Sequence, residues 1–457
     1  MDDYSQALNR LNERFATGAT LSVAWRRQQL QQLQKFLHEN RSALSNALQT
    51  DLGKHPSESA LTELDFLQRD IRHTLSQLPK WMRARRVSTP LMATPGSSYL
   101  VPEPLGTVLI LGAWNYPVQL LLAPLVAALA AGNCALIKPS EHAQKTASII
   151  AERLPNYLQS DVVKVVTGEA DVAAQLTAMP FDHIFYTGGA NAARKILHNA
   201  ADNLVPVTLE LGGKSPAVVY SDADIKVTAR RLVWGKFLNA GQTCIAPDYV
   251  LVDDSVKAEL MSAMVSCIRE FYGEEPQNSD DYGRLIHQRH YQRLHDFLSS
   301  ADVVFGGDCD KQDRYIGPTL IVSPDLESPL MQEEIFGPLL PIIGFSELPC
   351  SPQQFIRQRP KPLALYLFTH SKANRRDYAR AVSAGSLCIN DTLIFMMNDQ
   401  LPFGGVGNSG MGRYHGYWGF ETFSHIKSVM KRSFWFDVVL RYPPYSSLKD
   451  KLLRWFT

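Results

Sequence analysis

With 457 residues, 45% of them hydrophobic and 20% charged, the chain is too long for one ordinary core and too apolar for disorder, so it should divide into two or three folded units. Its 46 basic and 45 acidic residues leave a net charge of +1, which excludes a global attraction to nucleic acid or anionic lipid. Six cysteines with no C-x-x-C pair argue against a disulfide framework and for a reducing, cytoplasmic setting.

The start, Met1-Asp2-Asp3-Tyr4, is acidic and has no signal-peptide core. Up to about Arg86, Leu, Gln, Arg and Glu recur at helical spacing, with Trp25, Leu30, Leu33 and Phe36-Leu37 on one apolar face; two or three helices are expected. The basic cluster Lys80, Arg83, Arg85 and Arg86 reads as a solvated helix end. Two prolines and a glycine between Thr89 and Gly96 predict an irregular connection.

Alternation then begins. Strands are predicted at Thr107–Leu111, Ala135–Ile137, Val162–Val166, His183–Tyr186 and Pro206–Leu209. Helices are predicted at Pro117–Ala131 (closed by Gly132), Ala143–Leu154 (capped by Ser140), Ala170–Ala178 and Asn191–Asn199. The longest apolar run, Leu120 to Ala131, contains Pro124 and is too short to span a bilayer. Strands alternating with helices imply crossover connections and a parallel sheet buried on both faces. After Leu211-Gly212-Gly213-Lys214 the pattern restarts. Strands follow at Ala217–Tyr220, Tyr249–Val252, Thr319–Val322, Leu339–Ile343 and Ala364–Phe368, with helices at Ile225–Phe237, Val256–Phe271 and Ala373–Val382. The tail from about Lys427, rich in aromatics and proline, reads as an extended arm that packs on a neighbour.

Gly405-Val406-Gly407-Asn408-Ser409-Gly410 spells G-x-G-x-x-G, but no strand precedes it and no helix follows, so the context of a dinucleotide fingerprint is missing. Thr187-Gly188-Gly189, between a strand and a helix start, is a better phosphate candidate: glycines admit close backbone approach and free N–H groups attract an anion. A tight turn is the competing reading. Lys138-Pro139-Ser140-Glu141 also admits two readings, a ribose-binding pair or a surface charge pair at a helix start. His287, His290 and His295 lie among Arg289, Gln292 and Arg293 on a helix read as exposed. His295 falls about 12 Å along the axis from His287, too far to share one ion, so no metal site is expected.

Cys244 stands in Asn239-Ala240-Gly241-Gln242-Thr243-Cys244-Ile245-Ala246-Pro247, a loop rather than an apolar periodic segment. Glu210 ends a buried strand, where open α/β sheets place their sites. Together with Trp114-Asn115-Tyr116-Pro117, Lys138 to Glu141, Glu210 to Pro216, Glu333-Glu334-Ile335-Phe336-Gly337-Pro338 and Pro402-Phe403-Gly404-Gly405, these segments come in an order that resembles the aldehyde dehydrogenase superfamily, over about Leu105 to Phe423. Arg441-Tyr442-Pro443-Pro444-Tyr445 and the short N-terminus look like its class 3 branch of fatty and aromatic aldehyde enzymes.

The resemblance implies an α/β fold of two doubly wound parallel-sheet domains, Rossmann-like and catalytic, plus a small β oligomerisation arm. The division expected is 1–86 with 105–209 for the dinucleotide, 210–424 for catalysis, and 87–104 with 425–457 for the arm. It implies NAD or NADP as cofactor, an aldehyde as substrate and a homodimer without nucleic-acid partner or transmembrane anchor. It further implies Cys244 as nucleophile, Asn115 as oxyanion donor and Glu210 as the base that activates water. By the same resemblance Trp114, Lys138, Glu141, Gly188, Gly189, Glu334 and Phe336 would meet the cofactor, Lys138 and Glu141 at the ribose, Gly188 and Gly189 at the phosphates, Glu334 and Phe336 at the nicotinamide end. In this branch Glu334 also competes for the base role.

The chemistry needs such a set. Thiolate attack turns a poor hydride donor into a tetrahedral oxyanion, and a donor to that oxygen is worth about 3 kcal/mol of barrier. A carboxylate in a desolvated site can then take the proton of the hydrolytic water. Relatives that pass the acyl group to coenzyme A tend to lack this glutamate, so Glu210 argues for acid as product. Leu393-Ile394-Phe395-Met396-Met397 is expected to flank a substrate tunnel and to favour aliphatic or aromatic aldehydes over charged semialdehydes. An acyl-CoA-forming enzyme and a catalytically silent binding protein of the same fold are the alternatives.

Overall fold

The computed structural model describes residues 3–437 and 439–456; Met1, Asp2, Val438 and Thr457, parts of the expected terminal segments, lie outside them. Two large sheets dominate. The first runs, edge to edge, Gly410–Met411, Val207–Glu210, His183–Thr187, Thr107–Leu111, Cys134–Lys138 and Val163–Val165. All neighbours are parallel except the Gly410–Met411 edge. The chain leaves the central strand Thr107–Leu111 towards Cys134–Lys138, then returns to its other side at His183–Thr187. That reversal makes a switch point, and the crevice beyond the strand ends is where such sheets bind ligands.

The second sheet runs Asp302–Phe305, Thr319–Val322, Leu339–Gly344, Tyr249–Val252, Pro216–Val219, Ala364–Phe368 and Ser386–Ile389, antiparallel only at its first pair. A three-stranded antiparallel sheet, Arg85–Val87, Gly96–Pro104 and Ser424–Arg432, joins residues far apart in sequence. The fold is α/β, as the alternation of strand and helix signals predicts.

Helix Gln119–Ala131 is buried at every position. A helix apolar all round belongs to an interior, and this one packs between the sheet and the N-terminal helices Val23–Glu39 and Asp65–Trp81. Leu30, Leu33, Phe36 and Leu37 form the buried face that their spacing predicts.

Several expectations are corrected. The N-terminal region forms Asp3–Ala16, Val23–Glu39, Arg41–Leu52 and Asp65–Trp81, more than two or three helices, because Gly18, Asn40 and Gly53 break the periodic run. The cap of helix Gln144–Arg153 is Ala143, not Ser140, whose hydroxyl instead accepts from the His142 N–H at 3.4 Å. The tail pairs as strand Ser424–Arg432 and then turns helical at Ser447–Phe456, so only its first part is extended. The helix Gln288–Leu298 is not solvated all round, since His290 is buried.

Gly132 ends its helix in the left-handed region, at φ +95°, and a Cβ there would lie 2.6 Å from the Arg26 guanidinium. Arg26 is itself buried, donating Nε to Thr20 and Nη1 to Ala130 carbonyls at 3.0 and 3.1 Å. Gly132→Ala should therefore destabilise the fold by about 1–3 kcal/mol. Thermal unfolding followed by circular dichroism would show a lowered midpoint; an unchanged one would refute this account.

Candidate active site

The strands of the first sheet end in a common cleft of about 620 Å³. All ten residues singled out from the sequence line it: Trp114 and Asn115 after the central strand, Lys138 and Glu141 after the next, Gly188 and Gly189, then Glu210, Cys244, Glu334 and Phe336. Several loops from distant parts of the chain thus converge on one space.

Glu210 is the last residue of its strand and is 2% exposed, with neither carboxylate oxygen hydrogen-bonded. Burial raises its pKa well above the ordinary carboxylate range. Its backbone is held on both sides: its carbonyl accepts from the Gly188 N–H at 3.0 Å, and Gly410 stands opposite it as an antiparallel partner. The G-x-G-x-x-G segment therefore has a structural task. It turns so tightly that a Cβ on Gly405 would meet the Ser409 carbonyl at 2.0 Å, and the Leu211 N–H donates to that same carbonyl at 3.2 Å.

Cys244 lies at the cleft floor, partly exposed. Burial, then the charges of Glu334 and Glu210, push its thiol pKa up, while the N–H groups of Cys244 and Ile245 pull it down. The preceding turn is strained: Asn239, Ala240 and Gly241 all have positive φ, at 53°, 51° and 75°. For a non-glycine residue this conformation costs about 1–2 kcal/mol and persists only where the surroundings over-determine it. Here Gln242 and Asn239, both fully buried, supply that constraint. Gln242 Nε2 donates to the Asn239 and Arg284 carbonyls at 3.0 Å each, and its Oε1 accepts from the Ile286 N–H at 3.0 Å. A Cβ on Gly241 would strike the Gly337 carbonyl at 2.3 Å, so the Cys244 turn and the Glu333–Pro338 segment touch backbone to backbone.

Asn115 donates Nδ2 to the Gln242 carbonyl at 3.1 Å, which aims its amide at the Cys244 turn. Next to it, the Tyr116 hydroxyl and Thr243 Oγ1 are 2.6 Å apart. Glu334 lies over Gly212, where a Cβ would sit 2.1 Å from its Oε2. Burial raises its pKa to about 8, partly offset by the Gly213 N–H. Lys214 anchors this segment: Nζ pairs with Asp248 and donates to the Leu330 and Glu333 carbonyls at 2.8 Å each, and Asp248 accepts from the Ile335 N–H at 2.9 Å.

At the cleft's other end Lys138 pairs with Glu141 at 2.9 Å. A Cβ on Gly188 would lie 2.2 Å from the Tyr186 hydroxyl, whereas Gly189 faces open space. The Gly188 N–H is spent on Glu210, which corrects its reading as a free phosphate donor. Gly189 caps helix Ala190–Ala201 and leaves the first turn's N–H groups for an anion. A dinucleotide fits these features: an open glycine at a helix start, a lysine–carboxylate pair for ribose hydroxyls, and a length of cleft reaching Cys244.

The structure buries residues whose burial the sequence did not reveal. His290 is buried, and its Nε2 is 2.8 Å from the Phe336 carbonyl, holding a residue that itself has positive φ. Burial keeps this imidazole's pKa down at about 3, so it is neutral and donates. Only its helical offset from Tyr291 and Leu294 hinted at burial. Lys54 and Glu63 are likewise 0% exposed. Of the apolar run Leu393–Met397, Leu393 is buried and the Phe395 ring lies 6.5 Å from Tyr366 and 6.3 Å from Phe403, while Ile394 and Met397 are exposed.

Comparison with known proteins places this geometry. The model of the aldehyde dehydrogenase family matches residues 1–429. The chain is 44% identical over 97% of its length to the 4,4'-diaponeurosporen-aldehyde dehydrogenase of Staphylococcus aureus, of which it covers 96%. It is 42% identical to the dimeric NADP-preferring aldehyde dehydrogenase of Rattus norvegicus, with 97% of this chain and 98% of that one aligned. Among solved structures, the substrate-bound state of Staphylococcus aureus AldH superposes with a TM-score of 0.96 at 42% identity, covering both chains completely.

The electrostatics at Cys244 can be checked directly. Its raised thiol pKa means that alkylation by iodoacetamide should climb only above the ordinary thiol range. Glu210→Gln removes one of the opposing charges and should speed alkylation at pH 8 severalfold, read by intact-mass spectrometry. Equal rates in both proteins would show that Glu210 and the thiol do not interact.

Proposed function

The chain belongs to the aldehyde dehydrogenase family, as an NAD(P)-dependent aldehyde oxidoreductase akin to family 3, and from that premise we propose that Cys244 is its nucleophile and Glu210 its hydrolytic base. The observation that carries the assignment is the convergence of Cys244, the Asn115 amide and an unpaired Glu210 carboxylate on one cleft.

The residues act in sequence. The Cys244 thiolate attacks the aldehyde carbon, and the Asn115 amide with the Cys244 N–H receives the resulting oxyanion. The bound nicotinamide supplies the hydride acceptor. A water then attacks the thioester carbon as Glu210 takes one of its protons; the carbon–sulfur bond breaks, and the carboxylic acid and the Cys244 thiolate are released. The Gly213 N–H and Lys214 pull the Glu334 pKa back down, whereas neither Glu210 oxygen has a hydrogen-bond partner. This favours Glu210 over Glu334 as base.

For substrate we favour aliphatic and aromatic aldehydes, on the Tyr366, Phe395 and Phe403 rings that pack beside the Cys244 region. At the ribose end Glu141 would oppose a 2′-phosphate by charge, tempered by its pairing with Lys138. The chain is read as units 1–86 with 105–209, 210–424, and an arm of 87–104 with 425–457. It is read as a homodimer in the cytoplasm. Support comes from the relative named dimeric, from the unpaired outer edges of Ser424–Arg432 and Ser386–Ile389 among the described residues, and from six free cysteines. Among the described residues, no helix is long and apolar enough to cross a membrane.

Reduced-nicotinamide absorbance with octanal or benzaldehyde and no coenzyme A should show turnover by wild type and none by Cys244→Ala. Glu210→Gln should keep a stoichiometric burst yet lose at least about a hundredfold in steady-state rate, since only hydrolysis is impaired. Equal turnover by wild type and Cys244→Ala would overturn the assignment. For the cofactor, Glu141→Gln should raise the ratio of kcat/KM with NADP to that with NAD about tenfold; an unmoved ratio would remove Glu141 from specificity.

A further inference from the structure

A charged pair lies buried behind the cleft. Lys54 follows helix Arg41–Leu52, and Glu63 sits in the π-helical turn Ala60–Leu64 that interrupts Pro56–Trp81; both side chains are 0% exposed. Lys54 Nζ donates to Glu63 Oε1 at 2.6 Å and to the Asn115 backbone carbonyl at 2.8 Å, and it stands 3.9 Å from the Tyr116 ring centroid. The other carboxylate oxygen of Glu63 accepts from the Val118 and Gln119 N–H groups at 2.8 and 3.1 Å, capping helix Gln119–Ala131.

Burying two charges is costly, and apolar replacement often stabilises a fold more. Charge here does what apolar side chains cannot. It grips the loop between strand and helix at Asn115, by that residue's carbonyl, and just beyond it, by the Val118 and Gln119 N–H groups. The same Asn115 carbonyl also accepts from Asn239 Nδ2 at 2.8 Å, which ties it to the strained turn before Cys244. A π turn is a departure from regular helix that tends to occur at functional sites. Here it carries the buried Glu63.

We propose that Lys54 and Glu63 are positioning residues for the oxyanion step, holding the Asn115 amide in register with Cys244. This rests on the reading of Asn115 as oxyanion donor. A displacement of about 1 Å at such a site is enough to cost two orders of magnitude in rate.

The test uses full-length enzyme with NAD and octanal. Four variants are compared: Glu63→Gln, Lys54→Met, the apolar pair Lys54→Met with Glu63→Leu, and Asn115→Ala. Pre-steady-state burst rate, cofactor affinity, iodoacetamide alkylation of Cys244 and thermal midpoint are measured for each. Glu63→Gln and the apolar pair should slow the burst tenfold to a hundredfold, while cofactor affinity and alkylation stay within about twofold of wild type. The apolar pair should regain the thermal midpoint that Lys54→Met loses without regaining the burst. A burst slowed less than threefold in Glu63→Gln, or one that recovers in step with stability in the apolar pair, would overturn the proposal. If Asn115→Ala still slows the burst in that case, only the positioning role falls; if it does not, the oxyanion reading falls with it.

Discussion

A carboxylate taken out of water needs a partner, and the rest of this molecule is arranged around two that are treated oppositely. Glu210 ends a buried strand with neither oxygen satisfied, and burial keeps its pKa high. Glu63 is equally buried, yet both its oxygens are occupied, by a lysine and two backbone N–H groups. The first lines the cleft without a partner; the second is closed and holds the loop of Asn115, which lines the same cleft. A buried carboxyl left without a partner is pushed towards its neutral form, and groups perturbed in this way cluster at functional sites.

The strain next to Cys244 follows the same logic. Asn239 and Ala240 adopt a left-handed backbone that side chains disfavour. The turn is held by hydrogen bonds from Gln242, by the Asn115 carbonyl and by close backbone approach at Gly241. The holding groups come from the loop after the first sheet's central strand, from Arg284 and Ile286, and from the Glu333–Pro338 segment. Rigidity at Cys244 is therefore a property of the assembled fold and not of its loop.

Much of this was legible in the chain. Continuous β-branched and apolar runs such as Thr107–Leu111 and Ala364–Phe368 emerge as interior strands because a sheet covered on both faces requires them. Polar and glycine-rich segments at strand ends mark the cleft, since that is where backbone becomes free to meet a ligand. What escaped reading were residues whose role is set by a distant partner. His290 lies among arginines and glutamine, yet it folds beneath Phe336. Glu63 shares a helical face with Leu67 and Ile71; a charge on an apolar stripe was a signal available in the sequence. Short strands such as Arg85–Val87 and Gly410–Met411 have no pattern of their own and exist only through pairing.

The sequence by itself determined the α/β alternation, the order of the motifs and the chemical inventory of the site: a loop cysteine, a strand-end glutamate, an asparagine and glycines at a helix start. These are local matters of periodicity, turn chemistry and residue type. Only the tertiary structure decided which charges would be paired and which left bare, that Gly188 spends its N–H on Glu210, and that a lysine and a glutamate from the first 63 residues grip the loop of Asn115. Those outcomes depend on which groups meet after folding and how much water remains between them, quantities no single stretch of chain contains.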